Sequence, residues 1–277
     1  MQFSLESLAS LATIAGLLIT VFGIFQSREW LTLASLCFAA VAVSLFAYAR
    51  HMRAAVESAS IVIEGHSIDA LNVANLRQRV NRTFFIQDAK HAVRVVGEDM
   101  EITWHYSGYC RAKIAAEMWF TINSEVGTRF DDLRCVAYDL RNDPDMQHAI
   151  RPRLVGPDGI SKKIAVPFLE SLQANEPFEM QLRFRLPHCA RIGFSYYISA
   201  LSFRQEKIQS SSVRLTFSGT PPEWVRVYEC RAGATATLVK ALAPADGNFN
   251  GLDYLDLAEN RPGQSAWVYA FSRRNAQ

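Results

Sequence analysis

The chain has 277 residues, 49% of them hydrophobic, and carries 29 lysines and arginines against 27 acidic residues for a formal net charge of +2. Such a composition builds a core and excludes a disordered chain. The near balance of charge also excludes the broad basic face that grips duplex nucleic acid, so any anion site has to be local.

In chain order, the first expected element is apolar. No residue from Ser7 to Ser27 is charged, and LASLATIAGLLITVFGIF is long enough, at about 1.5 Å per residue, to cross most of a hydrocarbon core about 30 Å thick. A second uncharged run, Trp30 to Ala49, follows after Gln26–Glu29, which predicts a transmembrane α-helical hairpin over residues 1–56. Glu6 and the second span argue against a cleaved signal peptide. Arg50 and Arg53 directly follow the second span, so the positive-inside bias puts residues 57–277 in the cytoplasm. Small residues, among them Gly16, Gly23, Ala39 and Ser44, suit close helix packing within the hairpin or between protomers. Neither span holds an ionisable residue, which argues against a proton relay.

Arg50 to Ser60 is expected to continue the helix briefly, and SIDALNVANLRQRV (Ser67 to Val80) reads as a capped helix. Elsewhere the period changes to two. MEITWHY, LRCVAYDL, KKIAVPF, FEMQLRFRL, GFSYYISALSF, SVRLTFSG, WVRVYEC and SAWVYAFS are short, β-branched or aromatic, and separated by turn residues. They predict an antiparallel sandwich or barrel, a cytoplasmic β-rich ligand-sensing domain. In QLRFRL, Leu182, Phe184 and Leu186 face the core while Gln181, Arg183 and Arg185 face outward. The five cysteines, Cys37, Cys110, Cys135, Cys189 and Cys230, make no C-x-x-C pair and read as free thiols of a reducing compartment.

Between Arg141 and Arg214 the chain holds 11 Lys+Arg against 7 Asp+Glu. This electropositive stretch contains RPRLVGPDGISKK, Arg151 to Lys163. A four-residue loop from Gly156 to Gly159 would pair Val155 with Ile160 and set Arg153 opposite Lys162, with Arg151 on the same face. Opposed like charges cost roughly 0.2–1 kcal/mol, which a phosphate would relieve. The competing uses of these cations are solubility at a strand edge and contact with anionic lipid heads. Arg151, Arg153, Lys162 and Lys163, with Arg183 and Arg185, are therefore the candidate phosphate ligands. Trp104 and Tyr197 are the candidate aromatic faces for a base. Alternation turns about half of the aromatics inward and leaves open which of Tyr196 and Tyr197 does so.

No P-loop, dinucleotide fingerprint, H-E-x-x-H or G-x-S-x-G occurs. His66 and Ser67 are adjacent and would point to opposite faces of a strand, and Asp131-Asp132 and Asp143/Asp145 read as turn formers. The expectation is a non-enzyme without cofactor or catalytic residue.

The two spans, followed by the strand run RPRLVGPDGISKKIAVPF, resemble the two-transmembrane β effectors of bacterial anti-phage systems. These include the effector paired with a minimal CRISPR-type polymerase (the Panoptes system) and those of cyclic-oligonucleotide defence. The resemblance is one of architecture and implies an inner-membrane protein with two spans. In it a cyclic di- or oligonucleotide bound to the β domain would control helix assembly in a homo-oligomer and disruption of the bilayer, either by triggering or by restraining it. A membrane-tethered protein-interaction module without a nucleotide ligand is the alternative.

Overall fold

The computed structural model describes residues 60–69, 81–124, 127–156, 158–219, 221–230, 236–243 and 251–273. All of them belong to the second of the two units into which the chain divides, Ala59–Gln277. They form thirteen strands in three sheets. The first strands are β1 (Ser60–Ile63), β2 (His66–Asp69), β3 (Phe84–Val96), β4 (Asp99–Cys110), β5 (Ile114–Asn123), β6 (Val136–Asp139) and β7 (Arg153–Leu154). They are followed by β8 (Ser161–Gln173), β9 (Pro177–Leu186), β10 (Gly193–Ser218), β11 (Trp224–Cys230), β12 (Thr237–Leu242) and β13 (Asp253–Arg273).

The large sheet has eight strands in the order β12-β11-β13-β10-β3-β4-β9-β6, and the small one has three, β5-β8-β7. Alternation decides how they pack. Met100, Ile102 and Tyr106 of β4 and Met180, Leu182 and Phe184 of β9 are buried together with Met118, Phe120 and Ile122 of β5 and Ile164 and Val166 of β8. The small sheet thus lies over this part of the large one as the second layer of a sandwich. The β1-β2 hairpin covers another part of the large sheet, where Ile61, Ile63 and Ile68 pack with Tyr228, Val268 and Ala270.

β10 runs 26 residues and β13 runs 21, paired antiparallel, with a shift of register between Ser202 and Lys207. At that bulge a Cβ on Gly263 would collide with the Gln205 carbonyl oxygen, so the close approach requires glycine. Beyond the bulge Ser210 to Ser218 pair in parallel with Asp88 to Val96 of β3. At the bulge itself the Gln205 side chain stands in for a strand: its Oε1 accepts from Ile86 N at 2.8 Å and its Nε2 donates to Ile86 O at 2.7 Å. Before the bulge Asn81 makes an isolated parallel bridge to Phe203, with Asn81 N donating to Ser202 O and Arg204 N donating to Asn81 O, both at 2.8 Å.

Several expectations are corrected. The two-span hairpin lies on residues 1–56, outside the described residues. Among the described residues no helix is long and apolar enough to cross a membrane, and the 3₁₀ turn Phe130–Leu133 is the only helical element. The apolar residues there alternate along strands, so none supplies the run of about 20 that a spanning helix needs. The fold class is accordingly a β domain. The helical hairpin and the two-span inner-membrane localisation are not supported.

Of the helix expected over Ser67–Val80, Ser67–Asp69 belongs to β2, and residues 70–80 lie outside the described residues. The β-rich organisation holds. GFSYYISALSF and SVRLTFSG, expected as separate strands, are one strand, because the polar stretch between them stays paired through the Gln205 bulge.

Candidate functional site

The expected hairpin forms in a different register. Arg153 pairs with Ala165 and Leu154 with Ile164, and Val155 N donates to Lys163 O at 2.8 Å, so Lys162 is not opposite Arg153. The displacement, from 162 to 165, is odd and turns Lys162 to the inner face. There its Nζ is buried, donates to Gly159 O and lies 3.6 Å from Asp158 Oδ1. Burial beside it pushes the Cys135 thiol up to about 12. The two arginines at the tip have acidic partners. Arg153 NH2 donates to Glu117 Oε2 at 2.6 Å, and Arg151 NH2 to Asp131 Oδ1 at 3.4 Å. Lys163 Nζ sits 3.6 Å from the centroid of the Trp119 ring.

Arg183 and Arg185 are elsewhere. Phe184 and Leu186 face the small sheet, so the arginines between them face away from it. Arg183 lies over the Tyr138 ring at 5.1 Å and donates to Gln181 Oε1 at 2.7 Å, and Arg185 is paired with Asp99. The structure therefore does not gather the six cations into one cluster.

It does bring the two aromatic candidates together. Trp104 Nε1 donates to the Tyr197 hydroxyl at 2.7 Å, and both rings line a cavity of about 150 Å³. Its walls come largely from β4, β5, β9 and the first half of β10, and Tyr106, Phe120, Phe184 and Phe203 are among its aromatic residues. Tyr197 is the inward member of its pair, at 4% exposure, whereas Tyr196 is half-buried. Asn81, Trp119 and Thr121 line both this cavity and a neighbouring groove of about 530 Å³, to which Arg82, Glu117 and Lys163 contribute. Arg82 is exposed and makes no ion pair among the described residues.

Behind the cavity lies a buried polar cluster. His91 Nε2 is 2.8 Å from the Tyr106 hydroxyl, and Nδ1 is 2.7 Å from the Tyr197 hydroxyl and 3.2 Å from Ser199 Oγ. Arg261, 2% exposed, donates from NH1 to Ser199 Oγ at 3.0 Å and from NH2 to Ser199 O at 2.5 Å. Farther along, the Tyr269 hydroxyl donates to Asp256 Oδ2 at 2.6 Å, and Lys240 Nζ lies 2.5 Å from Asp256 Oδ1. Burial, with the Arg261 charge nearby, pushes His91 down to about 3, and burial raises both Tyr106 and Tyr197. His91 is thus neutral at pH 7 and Ser199 already accepts from a guanidinium, a poor setting for a base and nucleophile.

His91, Arg261 and Arg82 were missed by the sequence reading. For His91 a signal existed: Ala89, His91, Val93 and Val95 alternate, which puts the imidazole on a buried face.

No protein-family model matches the chain, and no curated protein matches it. Among solved structures it is similar to an M1 zinc metallopeptidase from Deinococcus radiodurans, at 13% identity and a TM-score of 0.39, over 69% of this chain and 43% of that one. A two-domain M1 zinc metallopeptidase E323A mutant bound to L-tryptophan gives the same figures, 13%, 0.39, 69% and 43%. The chain spans less than half the length of these proteins, and the likeness carries no argument about activity. Among the described residues no group of three or more His, Cys, Asp and Glu is placed to hold a metal ion.

Proposed function

We propose that the β domain is a non-catalytic sensor of a small aromatic polyanion, of the class of cyclic di- and oligonucleotides. One base enters the cavity between Trp104, Phe120 and Phe184, and phosphates lie along the outer groove by Arg82 and Lys163. The observation that supports this reading is that an aromatic cavity and a neighbouring groove, which bears Arg82 and Lys163 with Glu117, share Asn81, Trp119 and Thr121 in their walls. Aromatic faces hold bases by stacking, and guanidinium and ammonium groups match phosphate oxygens. The proposal comprises ligand sensing and contains no membrane step.

Calorimetric titration of the full chain with a panel of cyclic di- and trinucleotides tests it. Heat with at least one member, weakened tenfold or so by Arg82→Ala and by added salt, is expected. No heat with any member overturns it.

A second reading, a protein-interaction module, is favoured by β5. It is the edge strand of its sheet among the described residues, with Ile114 58% and Trp119 47% exposed. Ser124 N donates toward β8, to Ile160 O at 3.0 Å, so alternation turns the Thr121 and Asn123 amides outward, where an added strand would pair. Amide exchange separates the readings. A partner strand slows those two amides, whereas a base in the cavity slows exchange in β4 and β10.

A further inference from the structure

Between Gly193 and Ser202, strand β10 has a strand beside it on one side only. β13 pairs with every residue of that stretch, whereas β3 joins the other side from Ser210 onward. Asn81 closes the end of the open side, its N–H donating to Ser202 O and its carbonyl accepting from Arg204 N, both at 2.8 Å. The Ser202 carbonyl therefore points away from β13. Successive residues of a paired strand aim their N–H and C=O to alternate sides, so Ala200 and Ile198 also aim theirs away from β13. Neither residue's N–H or C=O has a hydrogen-bond partner among the described residues.

This open edge borders the aromatic cavity, where Ile198 and Ala200 stand among the lining residues with Trp104, Phe120 and Phe184. Tyr197, Ser199 and Leu201 bury their side chains, and alternation turns those of Ile198 and Ala200 to the opposite face of the strand. What Ile198 and Ala200 bring to the cavity is therefore backbone. We propose that the cavity selects its ring through this backbone edge: the ring must carry a hydrogen-bond donor directly beside an acceptor, as a lactam does. The Ala200 N–H donates to the ring's acceptor and the Ala200 carbonyl accepts from its donor. Nucleobases carry such an edge. The aromatic walls would take any flat ring, whereas a ring without these groups shuts an amide and a carbonyl away from water unpaired. The inference rests on the cavity being the base site proposed above and is independent of the phosphate groove.

Isoquinolin-1(2H)-one and isocoumarin, rings of nearly the same shape in which a ring N–H is exchanged for a ring oxygen, test it on the full chain. The isoquinolone is expected to bind about fivefold or more tighter, because the ring oxygen of isocoumarin would face the Ala200 carbonyl without a proton between them. Equal binding overturns the proposal. Ala200→Pro removes the other half of the contact. Its fold is expected to survive, since the lost amide takes no part in the β10–β13 ladder, and isoquinolone affinity is expected to fall about fivefold or more. Unchanged affinity overturns the proposal. Backbone amide resonances of the unmodified chain carry the test should that variant not fold. The isoquinolone is expected to move the Ala200 amide proton downfield and to slow its exchange, and an Ala200 amide that neither moves nor slows overturns the proposal. Isoquinolone preference without nucleotide heat would remove the nucleotide reading and leave this one; nucleotide heat without the preference would do the reverse.

Discussion

The basic tip around Arg151–Lys163 and the polar cluster around His91 are built on opposite principles. At the tip, cations adjacent in sequence are separated by the strand register, and three of them find individual acidic partners: Arg151 with Asp131, Arg153 with Glu117 and Lys162 with Asp158. In the cluster, His91, Tyr106, Tyr197 and Arg261 are far apart in sequence, yet hydrogen bonds of 2.7–3.2 Å connect them through Ser199. Charges close in sequence overstate their cooperation, because alternation sends neighbours to opposite faces, while distant residues on one inner face are obliged to satisfy one another.

If that contrast is right, the largest effect comes from the cluster's one fully buried guanidinium. Arg261→Ala is expected to destabilise the domain by about 3–5 kcal/mol, since it strands the Ser199 and Ser265 groups and leaves a void beneath Trp267. Urea midpoints measure it, and a loss of the size expected at the surface would break the comparison.

The next effect is a pH dependence. The unfolded imidazole titrates near 6.5, whereas the folded one is held down at about 3. Between those values the unfolded chain binds a proton that the folded chain does not, so stability is complete above pH 6.5 and falls as pH drops toward 3. The slope is about 1.4 kcal/mol per pH unit, or about 2 kcal/mol from pH 6.5 to 5. His91→Gln should remove that component and leave the slope due to carboxylates. Parallel stability curves for the two proteins would show that the imidazole is not sequestered.

Tyr197→Phe comes third. It deprives Trp104 Nε1 of its acceptor and His91 of one donor, and is expected to cost about 1–3 kcal/mol in a denaturation experiment.

The sequence made the strand content legible wherever alternation was clean, as in β9, where Leu182, Phe184 and Leu186 are buried and Arg183 is exposed. It did not reveal β3 or β5. FFIQDAKHAVRVV mixes Gln, Asp and Lys with Ala, residues that weaken the strand pattern, and its inward face includes His91 itself. The candidate site was legible in its aromatics, because Trp104 and Tyr197 belong to strongly patterned strands of one sheet and meet over β3. The phosphate candidates depended on a turn length, and one odd displacement of register reassigned Lys162 from partner of Arg153 to a buried ammonium bonded to Gly159. Arg261 lies in a 21-residue strand just before the point where β13 meets the bulge of β10, and no local periodicity marks it.

The smallest expected effect is the sharpest test of the contrast. Arg151 has a side chain 85% exposed, its partner Asp131 is 70% exposed, and the pair is 3.4 Å apart at one contact. An exposed single contact of this kind gains little over hydration and holds two mobile side chains in one geometry. Arg151→Ala should therefore change stability by about 0–1 kcal/mol, toward zero in high salt, and leave nucleotide heat unchanged if the anion sits by Arg82 and Lys163. Should Arg151→Ala abolish nucleotide binding while Arg82→Ala does not, the tip would be the anion site after all. The cations would then have to exchange their acidic partners for phosphate on binding, and affinity would carry the cost of breaking each pair.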